Sequence, residues 1–91
     1  MAILQSRTFK NTVKKLTPSD KMILDQEVRN ILENPDIGEE KKGDLAGVFV
    51  HKFKIRIIQY LLSYRFSNQN LELIMIGTHE NYYRDLKKLI K

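Results

Sequence analysis

The chain contains no cysteine, two prolines, two histidines and four glycines, and no apolar run of membrane-spanning length. Without cysteine, disulfides and thiolate metal sites are excluded, a composition suited to a reducing cytoplasm. A spanning helix needs about 20 consecutive apolar residues, and the N-terminus lacks the apolar stretch of a signal peptide. A cytoplasmic protein with no membrane partner is therefore expected. Acidic residues are in the minority, 11 against 16 lysines and arginines, which gives a formal charge of +5. That balance points to a polyanionic partner: nucleic acid, a ribosome-like surface or an acidic protein. The 91 residues make one domain, 1–91, near the lower size limit for a core without cross-links. No repeat, low-complexity tract or linker interrupts it.

What is present is concentrated in residues 48–66, Val-Phe-Val-His-Lys-Phe-Lys-Ile-Arg-Ile-Ile-Gln-Tyr-Leu-Leu-Ser-Tyr-Arg-Phe. Lys52 and Lys54 stand two apart around Phe53, and Arg56 continues the same parity. Successive strand side chains point to opposite faces, so the pattern predicts all three cations on one side of a strand. The second half of the stretch is almost wholly apolar and aromatic, as in a strand buried against another layer. A sheet packed on one face and cationic on the other suits an anion.

The rest of the chain divides by its start and stop signals. Residues 2–5 are short and apolar, a first edge strand. Ser6 is a helix cap, and Phe9, Val13 and Leu16 recur at helical spacing, predicting a helix over 7–16. Thr17-Pro18-Ser19-Asp20 is a second start signal, with a cap threonine, a proline at the first helical position and an acid at the third. Leu24, Val28 and Ile31, widened by Ile23 and Leu32, form its apolar stripe until Asn34-Pro35 ends it. Residues 36–47 carry Gly38, Gly43 and Gly47 with a mixed charge cluster and read as the one real loop. Strands follow at about 48–55, 59–66 and 71–77. Ser67-Asn68-Gln69-Asn70 is a good turn by composition, whereas Arg56-Ile57-Ile58 carries no turn residue. After Gly77, Thr78 is placed to cap a last helix with Tyr82, Tyr83, Leu86, Leu89 and Ile90 on its apolar side, and Arg84, Lys87, Lys88 and Lys91 around it. The order β-α-α-β-β-β-α predicts an α+β fold. A helical hairpin packs on a small antiparallel sheet, and a short C-terminal helix closes the chain.

These residues carry a resemblance. The hairpin ending in Asn34-Pro35, the Lys52-Phe53-Lys54-Ile55 strand, the Tyr60-Leu61-Leu62-Ser63-Tyr64 strand and the closing Ile76-Gly77-Thr78-His79-Glu80-Asn81-Tyr82-Tyr83-Arg84-Asp85-Leu86 segment resemble the RelE/ParE superfamily of bacterial toxins. The similarity covers essentially the whole chain, and the C-terminal motif is its most specific part. Membership implies the toxin of a type II toxin-antitoxin pair, held inactive by an acidic antitoxin and using no cofactor or metal. Two targets are compatible with the superfamily. One is messenger RNA on the ribosome, cleaved by an endonuclease; the other is DNA gyrase, bound by a non-enzymatic inhibitor. In the RNA-cleaving relatives, basic residues of the middle strands and a C-terminal histidine, arginine or tyrosine do the chemistry. Lys52 and Lys54 match the strand pair, His79 matches the C-terminal group, and Tyr83 approximately matches a terminal tyrosine. One branch carries an arginine at the position of Leu61; Arg56, Arg65 and Arg84 are the nearest substitutes in sequence.

Metal-free RNA cleavage needs a proton acceptor for the ribose 2′-hydroxyl, cations for the charge that builds on phosphate, and an acid for the departing 5′-oxygen. The expected catalytic set is Lys52, Lys54, His79 and Tyr83, with Lys52, Lys54, Arg56, Arg65 and Arg84 binding phosphate. Histidine is the side chain that titrates near neutrality, and a tyrosine donates a proton or stacks on a base. Each has a plainer reading. A Lys-x-Lys strand is also a solvated edge charged against aggregation, and His79 also starts a helix. His51 shares parity with Phe49 and Phe53 and is expected to pack. By spacing, Tyr82 faces the core and Tyr83 is the more exposed. Lys41-Lys42 reads as a solvated loop, and Met22 and Met75 as core filler.

Overall fold

In the computed structural model, which describes residues 2–90, five strands form one sheet in the order β1-β5-β4-β3-β2. The strands are β1 (Ile3–Gln5), β2 (Glu39–Glu40), β3 (Phe49–Ile55), β4 (Ile58–Ser67) and β5 (Asn70–Thr78). The helices are α1 (Arg7–Val13), α2 (Pro18–Glu33) and α3 (Tyr82–Ile90). Helices and sheet make an α+β fold, as the sequence predicts. All pairings are antiparallel except that of β1, which runs parallel to β5 with Ile3 opposite Leu71.

Both cap signals operate. Ser6 Oγ accepts from the Phe9 N–H at 3.0 Å, and Thr17 Oγ1 accepts from the Asp20 N–H at 3.1 Å. Each satisfies an N–H that the first helical turn leaves without a partner. α1 is shorter than its apolar spacing suggests. Beyond Val13 the chain tightens to i→i+3 bonds, Lys15 N–H to Thr12 and Leu16 N–H to Val13, before the next cap. Leu16 nevertheless packs with α1 and α2 on one sheet face, where Phe9, Leu24 and Ile31 meet Phe53, Ile55, Leu62, Tyr64, Leu71, Leu73 and Ile76. The opposite face carries a second cluster, in which Tyr82 and Leu86 of α3 and Leu45 cover Val48, Val50, Leu61, Ile74 and Met75.

Several local expectations are corrected. Residues 36–47 are no open loop: they contain 3₁₀ turns at Pro35–Ile37 and Gly43–Leu45 flanking β2. Tyr64 clamps this segment, its hydroxyl donating to the Pro35 carbonyl at 2.7 Å and accepting from the Gly38 N–H at 3.0 Å. Gly38 is needed there, because a Cβ would lie 2.7 Å from that hydroxyl oxygen and 3.1 Å from the Val50 carbonyl carbon. Thr78 ends β5 rather than capping α3, which starts after a turn in which Asn81 has φ 59° and the Tyr82 N–H bonds to the His79 carbonyl at 3.2 Å. Met75 is buried as expected, but Met22 is 73% exposed on α2. Lys91, grouped with the last helix by sequence, lies outside the described residues. Among those described, no helix is long and apolar enough to cross a membrane.

Candidate functional site

β3 separates its two sets of side chains by parity. Phe49, His51, Phe53 and Ile55 face the α1–α2 layer, while Val50, Lys52 and Lys54 face the α3 side. His51 is packed: its Nε2 lies 2.7 Å from Glu27 Oε1 on α2, and its ring stacks on Phe53 at 5.8 Å. α3 has nine residues, about 13 Å of helix, too short to roof the whole sheet. It covers Val50 and Leu61 and leaves Lys52 and Lys54 exposed.

Register brings the C-terminal motif to the same level. Lys52 pairs with Leu61 and Leu61 with Gly77, while Lys54 pairs with Gln59, whose neighbour Tyr60 pairs with Thr78. The end of β5, and His79 just beyond it, therefore stand about two strand spacings, roughly 10 Å, from the lysines. His79 is exposed and meets the half-buried Tyr83 edge to face, with ring centroids 6.0 Å apart.

Tyr82 turns inward. Its hydroxyl lies 2.9 Å from Ser63 Oγ and 2.8 Å from the Met75 carbonyl, and burial pushes its pKa well above the usual tyrosine value. The division of labour between the two tyrosines is thus the one their spacing predicts. Tyr82→Phe removes a buried hydroxyl from a network in which Ser63 Oγ still donates to the Met75 carbonyl at 3.1 Å, and is expected to cost about 1 kcal/mol, whereas Tyr83→Phe at the half-exposed position should change stability by less than about 0.5 kcal/mol. Chemical denaturation of the two variants checks this, and equal losses would contradict the assignment.

The arginines do not join the lysines. Arg56 occupies the tight β3–β4 turn with φ 58°, and its guanidinium points to the helical side, 3.1 Å from Asp20 Oδ1 at the start of α2. The expectation of three cations on one face fails because the strand ends at Ile55 and the alternation ends with it. The contact is an ion pair without an aligned hydrogen bond, since Asp20 Oδ1 has no such partner. Arg65 is held by Glu72 at 2.8 Å, four residues along β4 from Leu61. Arg84 follows Tyr83 on α3, about 100° further round the helix, and its Nε lies 3.4 Å from Asp85 Oδ1. Leu61, opposite Lys52, is fully buried.

Two residues that the sequence reading left in a solvated loop lie on the same face as Lys52. β2 pairs with β3 so that Glu39 lies opposite Val50, and the Lys41 N–H continues the ladder to the Val48 carbonyl at 2.8 Å. Glu39 and Lys41 thereby share the face of Lys52. The Lys41 ammonium is bound to the Glu39 carboxylate and sits 5.1 Å from the centre of the Tyr83 ring. The hydrogen bond from Lys41, then its charge, and to a smaller extent the charge of Lys52 hold Glu39 below the usual carboxylate range. The same bond raises Lys41. The sequence signal was the two-residue spacing of Glu39 and Lys41, legible only once residues 39–41 are known to be extended. The face therefore gathers three lysines, one carboxylate, a histidine and a tyrosine: a cationic floor with titratable groups at its rim.

Residues 3–87 match the family model for the ParE-like toxin of type II bacterial toxin-antitoxin systems. The chain belongs to that family. No curated protein matches this ParE-like toxin significantly by sequence. Its fold is shared with solved toxins. The YoeB/ParE toxin from Agrobacterium tumefaciens is 23% identical, with 87% of this chain and 99% of that one covered at a TM-score of 0.72. The isolated E. coli RelE toxin is 21% identical, with 96% of each chain covered and a TM-score of 0.65. A match to the intact E. coli RelBE toxin-antitoxin complex has 21% identity, covers 87% of this chain and 96% of that one, and has a TM-score of 0.68. At these identities the likeness is one of fold.

Proposed function

We propose that this toxin is a ribosome-dependent endonuclease that cleaves messenger RNA without a metal ion, and that an acidic antitoxin silences it by covering the Lys52–Lys54 face. The observation that carries the reading is the pair of exposed lysines on an otherwise largely buried strand, level with His79 just beyond the end of β5, whose ring meets that of Tyr83 on α3. Lys52 and Lys54 neutralise the phosphate as charge accumulates on it. The ribose 2′-oxygen attacks phosphorus, the bond to the 5′-oxygen breaks, and a cyclic phosphate and a free 5′-hydroxyl result. His79 and Tyr83 serve the two proton transfers, from the 2′-hydroxyl and to the departing oxygen. The net positive charge assists docking on ribosomal RNA. An antitoxin that folds as it binds, with carboxylates against these lysines, suits the same surface.

Primer extension on a defined message, with purified toxin added to programmed ribosomes beside a ribosome-free control, tests the reading. New 5′ ends within the decoding-site codon, only with ribosomes, are expected. His79→Ala should reduce cleavage by about 10²–10⁴-fold, the usual contribution of an acid–base group. Intact message while growth still stops would favour the second reading, a gyrase inhibitor that uses the lysines for binding. Two observations favour that alternative: the match to a ParE-like family model and the buried Leu61 opposite Lys52.

A further inference from the structure

The Glu39 carboxylate is bound by the Lys41 ammonium and also feels, more weakly, the charge of Lys52. In the β2–β3 ladder Glu39 is opposite Val50, so Lys52, two residues further along β3, is its diagonal neighbour on the same face. Diagonal cross-strand neighbours are about 7–8 Å apart at the backbone, within reach of long side chains. On the other side, Lys41 closes onto the same carboxylate while its ammonium rests against the Tyr83 ring. Ile37, Glu39, Val50, His51 and Lys52 line a shallow depression at this edge of the sheet. Register thus sets Lys41 and Lys52 on either side of Glu39 along this edge, a notch that suits a single anionic group, and the anionic group now nearest both belongs to the chain itself.

We infer that Lys41 and Lys52 bind one backbone phosphodiester of a single-stranded nucleic acid, and that Glu39 occupies this phosphate position in the free protein and must leave it for the strand to seat. The inference rests on the nucleic-acid reading of the site, and it adds a phosphate contact and an internal competitor to that reading. The geometry suits the role. The Lys41 side chain is largely shielded, at 21% exposure, whereas that of Glu39 is 72% exposed, so the carboxylate can swing into water while the ammonium stays against the ring. In the free protein Glu39 is the main group that favours the protonated form of Lys41, with Tyr83 adding to it, and an incoming phosphate would take over the part of Glu39. The carboxylate is ionised, with Lys41 as the main cause, and so competes as a full negative charge. Glu40, on the opposite face of β2 across from Phe49, carries the same charge without access to the notch.

Binding of a 2′-O-methyl oligoribonucleotide, which cannot be cleaved, tests this without ribosomes or catalysis, so its failure is separate from failure of the primer-extension experiment. Fluorescence anisotropy of a labelled oligonucleotide should show Glu39→Gln tightening binding about three- to fivefold, the range of an exposed ion pair. Lys41→Met should weaken it by a similar factor, and in that background Glu39→Gln should have a smaller effect. Glu40→Gln is the control for net charge. If it tightens binding as much as Glu39→Gln, the effect is one of overall charge and the notch is not a site. If oligonucleotide binding ignores Lys41→Met, Lys41 is not a phosphate contact. Titration with inorganic phosphate forms the second arm. A response of the Lys41 and Lys52 side-chain resonances to free phosphate, with no effect of either variant on the oligonucleotide, would assign the notch to a small anion and overturn the phosphodiester assignment.

Discussion

Charge reversal at both Lys52 and Lys54, to glutamate, should abolish growth arrest while the protein stays folded. Both side chains are exposed and lie on the open part of the α3 face, so neither replacement enters the core, and stability should move by less than about 1 kcal/mol in total. The effect on cleavage should be far larger. Loss of one preorganised donor to a developing oxyanion typically costs about 10²–10³-fold, and here two cations become two anions beside a phosphate. A loss of at least about 10³-fold in ribosome-dependent cleavage follows. The decisive comparison is growth after induction of the wild type and the double variant at matched protein levels, with thermal melts of both. A variant that melts normally and still arrests growth would show that the lysine face is not where the toxin meets its target.

The largest effect on stability should come from Tyr64. Its side chain is fully buried, its ring stacks on Phe49 at 5.5 Å and meets Phe66 edge-on at 6.1 Å, and its hydroxyl joins the Pro35 carbonyl to the Gly38 N–H. Tyr64→Ala should cost about 3–5 kcal/mol, a large part of the total for a chain whose stability is of order 5–14 kcal/mol. Tyr64→Phe keeps the ring but strands two backbone groups, for about 1–3 kcal/mol. The smaller substitution is the more informative, because the loosened segment carries Glu39 and Lys41. Hydrogen exchange should show faster opening of residues 36–41 than of the β3–β4 hairpin. Uniform loosening across the sheet would mean that the hydroxyl is not a local clamp.

Alkaline pH probes the same tyrosines. Burial raises the pKa of both Tyr64 and Tyr82, so above about pH 10, where an unfolded tyrosine ionises, the native chain holds protons that the unfolded chain has lost. Stability is constant in this respect below that pH and falls as pH rises beyond it. Melts between pH 8 and 11 should show the decline, shallower in Tyr82→Phe. An identical slope in the variant would remove Tyr82 from the explanation.

The sequence by itself determined the three helices, four of the five strands and the family resemblance. Period-two alternation marked β3 and β4, Ser6 and Thr17-Pro18 marked the helix starts, and helical spacing sent Tyr82 inward and left Tyr83 half-exposed. These signals lie within a few residues of one another, and the periods of strand and helix decide them locally. Only the tertiary structure decided which charges meet. Arg56 went to Asp20 because a tight turn ended the alternation, and Arg65 went to Glu72 because β4 and β5 set their register. Glu39 and Lys41 entered the site because β2 adds to the edge of β3, a pairing that no local pattern announces. Strand direction was equally hidden: β1 reads as a strand in either orientation, and its parallel seat beside β5 follows from the path of the chain through α1 and α2. Long side chains reach whichever partner the fold brings near, so their roles are settled by contacts between residues far apart in the chain.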